Sequence, residues 1–249
     1  MVTGMESFRE HFAGYEDCYT IIGGAACDIL MHEQNISFRA TRDVDMIVLI
    51  ENRFDEFGRR FWNYIQQGGY RCGWCNDPDV HFFRFTEPKS NAYPMMIELF
   101  SRSTAYQLKV PDSIEIPLHI DDDVSSLSAI LLNEEYYHFM MQGRRTVDGI
   151  SVLDAAYLIP FKIRAWLDLS RRKSEGQHVN ARDLKKHKND VFRLLAIIPM
   201  NTRVLVTGEV ESDVRQFIQA MELNPPDTTQ LQPSVPADTA ITLLRQIYL

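Results

Sequence analysis

Cysteine is scarce in this chain: Cys18, Cys27, Cys72 and Cys75 are four in 249 residues, too few to read as a disulfide framework. Long apolar runs are missing as well. Stretches such as Ala129 to Leu132 and Ala155 to Ile159 are far too short to cross a bilayer, so no membrane association is expected. Met1 to Arg9 lacks the basic start and apolar run of a secretory signal. A cytoplasmic location is therefore expected, and the sequon at Asn35-Ile36-Ser37 carries no weight. Basic residues are not in excess, since the net charge is −8, which argues against a surface coated for nucleic acid. The histidines, His11, His32, His81, His119, His138, His178 and His187, are scattered with no His-Asp or His-x-His pair. That disfavours a metal-dependent phosphohydrolase, which needs them clustered.

What is present is an ordinary globular composition, 45% hydrophobic and 24% charged, long enough for one large domain or two modest ones. The charge is uneven. Lys162 to Arg193 carries ten Lys and Arg against four Asp and Glu, leaving this stretch at +6 and the remainder at −14. A local basic face on an acidic protein suits a bound polyphosphate better than a long nucleic-acid track, although most such runs are solvated helix faces.

Hydrophobic spacing predicts a short helix over Phe8 to Glu16, a strand over Tyr19 to Ile22, and a helix from Ala25 to His32 opening directly after Gly23-Gly24. Asp43 to Ile50 reads as a buried strand. Phe54, Phe57, Phe61, Tyr64 and Ile65 fall on one helical face that ends at Gly68-Gly69. His81 to Phe85, Met95 to Phe100 and Ile114 to Leu118 are strand candidates, and Leu127 to Met141 reads as strand and hairpin material turning at Asn133-Glu134. Beyond Val152 the pattern becomes helical: Leu153 to Ser170, Ala181 to Ala196 and Glu211 to Leu223, then a Pro-rich connection from Asn224 to Pro236 and a short terminal segment. Mixed α and β followed by helix predicts an α+β fold, with a catalytic domain over 1–150 and a mostly helical C-terminal domain over 151–249.

Asp43-Val44-Asp45 carries the clearest chemistry. Residues two apart on a strand share a face, so both carboxylates project together while Val44 faces away. Paired carboxylates repel unless a cation lies between them, and oxygen donors at the start of a buried strand suit Mg²⁺. A strand, Gly-Gly and a helix form a place where phosphate can approach the backbone and meet free N–H groups. Each motif alone is weak, and the two about twenty residues apart are more specific. Cys72-Gly73-Trp74-Cys75 lacks the context of a zinc or thioredoxin-like site and is read as ordinary thiols. Asp121-Asp122-Asp123 lacks the later residues of a calcium loop.

Gly23-Gly24-Ala25-Ala26 followed by Arg39-x-Thr41-x-Asp43-x-Asp45 resembles the signature of the DNA-polymerase-β-like nucleotidyltransferase superfamily. More closely it resembles the AbiEii/AbiGii branch, the nucleotidyltransferase toxins of type IV toxin–antitoxin and phage-defence systems. Ile159-Pro160-Phe161-Lys162 with Ala165 to Leu169, and Asp183 to Val191, are similar to that branch's later Lys-bearing and Asp-bearing motifs. The resemblance spans roughly residues 19 to 196 in three blocks. Ala25 departs from it, standing where the branch often has Ser or Thr.

The resemblance implies a nucleotidyltransferase-type mixed sheet and transfer of a nucleoside monophosphate from a nucleoside triphosphate to an acceptor hydroxyl, on an RNA or tRNA end or a protein. Asp43, Asp45 and Glu98 would hold Mg²⁺ or Mn²⁺. Gly23, Gly24, Ala25, Arg39 and Thr41 would line the nucleotide, and Lys162 with Lys186 or Lys188 would neutralise its triphosphate. Asp183 and Asp190 both match the branch's late aspartate, and Asp190, which opens Asp-Val-x-x-Leu, is favoured to orient a lysine or act on the acceptor. An antitoxin would be a further partner. The rival from another class is a non-catalytic nucleotide-binding or interaction module on a degenerate copy of the same fold. For the catalytic reading, Gly23, Asp43, Asp45, Glu98, Lys162 and Asp190 must converge on one cleft.

Overall fold

The structure is a computed structural model that describes residues 2–49, 53–74, 83–101 and 134–249. In chain order its elements are α1 (Met5–His11), β1 (Tyr19–Ile22), α2 (Gly23–Glu33), β2 (Asp43–Val48), α3 (Phe54–Gly68), β3 (Arg71–Trp74), β4 (Phe83–Thr86) and β5 (Met96–Ser101). There follow α4 (Glu134–Gln142), β6 (Arg144–Val147), β7 (Ile150–Leu153), α5 (Ala155–Ser174), α6 (Ala181–Leu195), α7 (Gly208–Leu223) and α8 (Ala237–Tyr248). The described strands form one mixed sheet in the order β3-β4-β5-β2-β1-β7-β6. The fold class is α+β, as the alternation of patterns along the chain predicts.

Strand register fixes the two faces of this sheet. β2 runs antiparallel to β1, with Ile22 opposite Asp45, and parallel to β5, with Glu98 opposite Asp45. β4 then sets Arg84 opposite Glu98. Registered partners share a face, so Arg84, Glu98 and Asp45 form a polar row across three strands, with Asp43 two residues along. Phe85, Ile97 and Val44 form the matching apolar row beneath. That apolar face is covered by aromatic side chains: Phe8 and Phe12 meet Tyr19, and Phe57 and Phe61 of α3 pack on Phe12. α3 presents Phe57, Phe61, Tyr64 and Ile65 to this layer at helical spacing and stops at Gly69, whose φ of +62° suits glycine.

The C-terminal helices depend on a repaired defect in α5. Its first turn is capped by Asp154, whose carboxylate accepts from the Ala156 N–H at 3.1 Å. Pro160 lies inside the helix and has no N–H to give to the carbonyl four residues earlier. That carbonyl, on Ala156, instead accepts from the buried Tyr248 hydroxyl of α8. The terminal helix is thus pinned to the start of α5 by the hydrogen bond that the proline leaves open.

Several sequence expectations are corrected. The first helix ends at His11, before Gly14, which takes a φ of +83°. Glu134–Gln142 is a helix and no hairpin: Tyr136, Tyr137, Phe139 and Met140 are buried at helical spacing, so aromatics that suggested a strand serve a helix face. The hairpin comes later, as β6 and β7 around Asp148-Gly149, both with positive φ, the backbone of the tight turn that Asp-Gly favours. The helix expected from Leu153 begins at Ala155, because Leu153 ends a strand. β3 was not anticipated, and the terminal segment is a helix of 12 residues. A division of the chain at 150/151 falls within β7, which pairs with β1. His81, Ile114 to Leu118, Leu127 to Asn133, Asp121 to Asp123, Cys75 and the Cys72 side chain lie outside the described residues. No described helix is long and apolar enough to cross a membrane.

Tyr248→Phe keeps the packing of the ring and removes the donor. It is expected to lower stability by about 1–3 kcal/mol in urea unfolding. The cost should shrink in a Pro160→Ala background, where a backbone N–H again reaches Ala156. Equal costs in both backgrounds contradict this account.

Candidate active site

β1 leads straight into α2 through Gly23, and the backbone there admits no side chain. Gly23 has a φ of +67°, and a Cβ would collide with the Asp45 carboxylate. At Gly24 a Cβ would stand 3.0 Å from Thr41 Cγ2 and 3.4 Å from Arg39 Nη2. The two glycines let the 39–45 segment close onto the start of α2. That helix has no side-chain cap at its N-terminus, so its first N–H groups are left for a solvent or ligand acceptor. Ala25 is fully buried and brings no hydroxyl to this end.

Asp43 and Asp45 are half-buried on one face of β2, and Val44 is buried on the other. Neither carboxylate has a salt-bridge partner among the described residues. Burial and the neighbouring Asp45 raise the pKa of Asp43, against the pull of Lys186 and Arg84. Burial and the neighbouring Asp45 also push Glu98 up to about 8, against the pull of Arg84, which hydrogen-bonds it. Crowded carboxylates taking up a proton are a site short of positive charge. Asp43 and Asp45, all oxygen and without thiol or imidazole, fit a hard divalent ion such as Mg²⁺ or Mn²⁺. Glu98 stands abreast of Asp45 but is turned into the Arg84 ion pair. Accordingly, no ready-made group of three metal-ligating side chains is present among the described residues.

A second cluster centres on Asp190 of α6, which is wholly buried. Arg39 grips it with two hydrogen bonds, Nη2 to Oδ2 at 2.8 Å and Nε to Oδ1 at 3.2 Å. Lys162 Nζ of α5 lies 3.2 Å from Oδ2, and Arg193 Nη1 3.3 Å from Oδ1. Phe38 supports both guanidiniums, with its ring centroid 4.9 Å from Arg39 and 5.9 Å from Arg193. Burial alone would raise the pKa of Asp190, but Lys162 and Arg39 hold it down at about 2. Burial opposes the charge on Lys162, yet Cys27, Asp190 and Asp45 more than compensate and raise its pKa. Cys27 is itself pushed up to about 12 by burial. His187 is lowered to about 3 by burial and by Lys162 and Lys186, so it is neutral, and its buried Nδ1 has no hydrogen-bond partner among the described residues.

These two clusters are one neighbourhood. Arg39 bonds Asp190, touches the Gly24 position and, at 3.2 Å, bonds Thr41 two residues before Asp43. Asp45 acts electrostatically on both Lys162 and Arg39, and Lys186 acts on Asp43 and Cys27. Three cations around one carboxylate leave a surplus of positive charge, while Asp43 and Asp45 lack it a few residues away. The arrangement separates Lys186 from Lys188: Lys188 lines a groove on another side of α6, beside Lys185 and Asp227. Asp190, enclosed by cations, is placed to orient Lys162 and Arg39. Arg84, Arg193 and His187 were missed. Arg193 was findable at three residues beyond Asp190 on a helix, whereas Arg84 depended on the register of β4 against β5.

No family model matches this chain, and no curated protein does. It is similar to an antigenic nucleotidyltransferase-like protein from Paracoccidioides brasiliensis, with 14% identity over 99% of this chain and 95% of that one and a TM-score of 0.49. It is also similar to a provisionally assigned nucleotidyltransferase from H. pylori, with 13% identity over 96% and 88% and a TM-score of 0.34.

Replacing Asp190 by Asn leaves the buried Lys162 and the half-buried Arg39 and Arg193 without their anion and is expected to cost about 3–5 kcal/mol at neutral pH. Because the folded-state pKa is depressed, this contribution is complete above the ordinary aspartate value of about 3.9 and is lost as pH falls through about 2. Denaturant unfolding of the two proteins between pH 5 and 2 should show their difference shrinking. A constant difference, or none at neutral pH, contradicts the assignment.

Proposed function

We propose that this protein is a metal-dependent nucleotidyltransferase of the DNA-polymerase-β-like type, and that it moves a nucleoside monophosphate from a nucleoside triphosphate to an acceptor hydroxyl. The observation that carries this reading is the opposition of two unneutralised clusters: Asp43 and Asp45 lack positive charge, and the Arg39, Lys162 and Arg193 group has it in surplus beside the glycine turn. A triphosphate with a divalent ion satisfies both at once.

In this reading Asp43 and Asp45 would hold Mg²⁺ or Mn²⁺, and Glu98, opposite Asp45 and paired with Arg84, would be the third carboxylate. A divalent ion held there would supply neutralisation of the α-phosphate and pyrophosphate charge and activation of the acceptor hydroxyl. The free N–H groups from Gly23 to Ala26 receive phosphate oxygens, and the glycines allow the close approach. Lys186 reaches the triphosphate from α6. Arg39 turns its remaining donors toward the Gly24 side, and Thr41 helps to fix it. Lys162 supplies a fixed positive charge behind the turn, held protonated by Asp190. Ala25 offers no hydroxyl, so backbone groups carry that contact.

The acceptor is proposed to be an RNA or tRNA end or a protein hydroxyl, in the cytoplasm. The biological role is proposed to be that of an AbiEii-like toxin with a cognate antitoxin. These follow from the motif resemblance. A second reading, a nucleotide-binding module without catalysis, is favoured by the Arg84–Glu98 ion pair, which occupies the third carboxylate.

Incubation with each α-labelled nucleoside triphosphate, Mg²⁺ and total RNA or protein separates the two readings. Transfer of label is expected and should vanish in Asp45→Asn while that variant's unfolding curve stays cooperative. Lys186→Ala removes one charged contact and should raise KM for the triphosphate by about 10–100-fold. Nucleotide binding by calorimetry with no transfer to any acceptor supports the non-catalytic module. Full transfer by folded Asp45→Asn contradicts both the metal assignment and the proposed mechanism.

A further inference from the structure

α6 has a second basic side that the carboxylate face does not use. Between α5, α6 and the 227–231 segment lies a groove of about 670 Å³, within the size range of small-ligand sites. Lys173, Lys185, Lys188 and Arg193 line it, against a single carboxylate, Asp227. Asp227 sits near Lys185 and is lowered in pKa first by Thr229, with Lys185 adding to the effect. Lys173 and Lys188 form no ion pair with any described residue. Arg193 ties the groove to the Asp190 cluster through its 3.3 Å contact.

A solvated lysine face is normally convex and has no aromatic wall. This groove is concave, and Trp166 forms part of its side. The partly buried indole makes a T-shaped contact with Phe217, with ring centroids 5.2 Å apart. Asn189 and Gln230 add amide groups that can both donate and accept. Cations that hold phosphate, an aromatic plane on which a base can stack and amides that can read its edge are the components that bind nucleotides without a metal.

We propose that this groove is a second binding site, for a nucleoside phosphate, separate from the carboxylate face. The ligand presents a ring to Trp166 and phosphate to Lys173 and Lys188, either as a free nucleotide or as a unit of a single strand. The site does not depend on the catalytic reading, because neither Asp43 nor Asp45 takes part.

The test uses the full-length protein in EDTA, which removes the divalent ion from the carboxylate face. A fluorescein-labelled uridylate octamer is titrated by anisotropy, and unlabelled octamer, UMP, inorganic tripolyphosphate and an oligoglutamate peptide are run as competitors. Lys173→Ala/Lys188→Ala should weaken octamer binding at least about tenfold and flatten the salt dependence by about 1.4 in log–log slope. Trp166→Ala should weaken it as well, and Asp45→Asn should leave it unchanged. Displacement by UMP identifies a free-nucleotide site, and displacement by the octamer alone identifies a strand site. Unchanged binding in the lysine variant overturns the proposal. So does a Trp166→Ala variant of unaltered affinity, or equal displacement by tripolyphosphate or oligoglutamate, since each reduces the groove to a plain polyanion patch.

Discussion

A carboxylate buried among three cations is costly to assemble and hard to vary, and Asp190 is in that position. Taking one charge out of water costs several kcal/mol, and the cost is recovered only when partners satisfy its oxygens with good geometry. Here the partners come from three places in the chain: Arg39 from the approach to β2, Lys162 from α5 and Arg193 from the next turn of α6. The interaction can form only when α5 and α6 lie against the start of α2 and the 39–45 segment. Its requirements therefore set where the helical part of the chain meets the sheet. The cap at Asp154 and the Tyr248 hydroxyl on Ala156 secure the start of α5.

Placed this way, the Asp190 group changes what the sheet can do. Arg39 and Lys162 are fixed, largely buried and more numerous than their anion, and they stand near the glycine turn onto which Asp45, Thr41 and Arg39 close. Across from them β2 presents Asp43 and Asp45 without a salt-bridge partner among the described residues, and burial beside Asp45 raises the pKa of both Asp43 and Glu98. Fixed charges at a partly dry site are stronger than the same charges in water. Positive and negative groups held apart in this way accept a ligand that carries both signs, which is the charge pattern of a metal-bound polyphosphate.

Much of this was readable from residues. β1 was legible as a short apolar run broken by Gly23-Gly24, α3 because its helical period is clean, and Asp43-Val44-Asp45 because a strand's alternation decides which side chains share a face. Lys162 was legible through the motif resemblance, and its place between Phe161 and Ile163 calls for an anion once it is buried. Other features depended on information that a linear pattern lacks. Tyr136, Tyr137 and Phe139 suit a strand or a helix equally well by residue type, and only their burial pattern separates the two. Asp148-Gly149 carried a hairpin signal that was overlooked beside the stronger helical pattern after it. The choice between Lys186 and Lys188 turned on the rotation of α6, and the Arg84–Glu98 pair on the register of two short strands.

The most direct measurement is a crystal structure of the protein with Mn²⁺ and a non-hydrolysable nucleoside triphosphate, with the metal located by its anomalous scattering. The account predicts Mn²⁺ between Asp43 and Asp45 and phosphate oxygens on the backbone N–H groups of Gly23 to Ala26. It also predicts Lys186 at the triphosphate, with the Asp190 cluster undisturbed behind it. A nucleotide bound elsewhere, or Mn²⁺ absent from the two aspartates while the triphosphate is present, would contradict it.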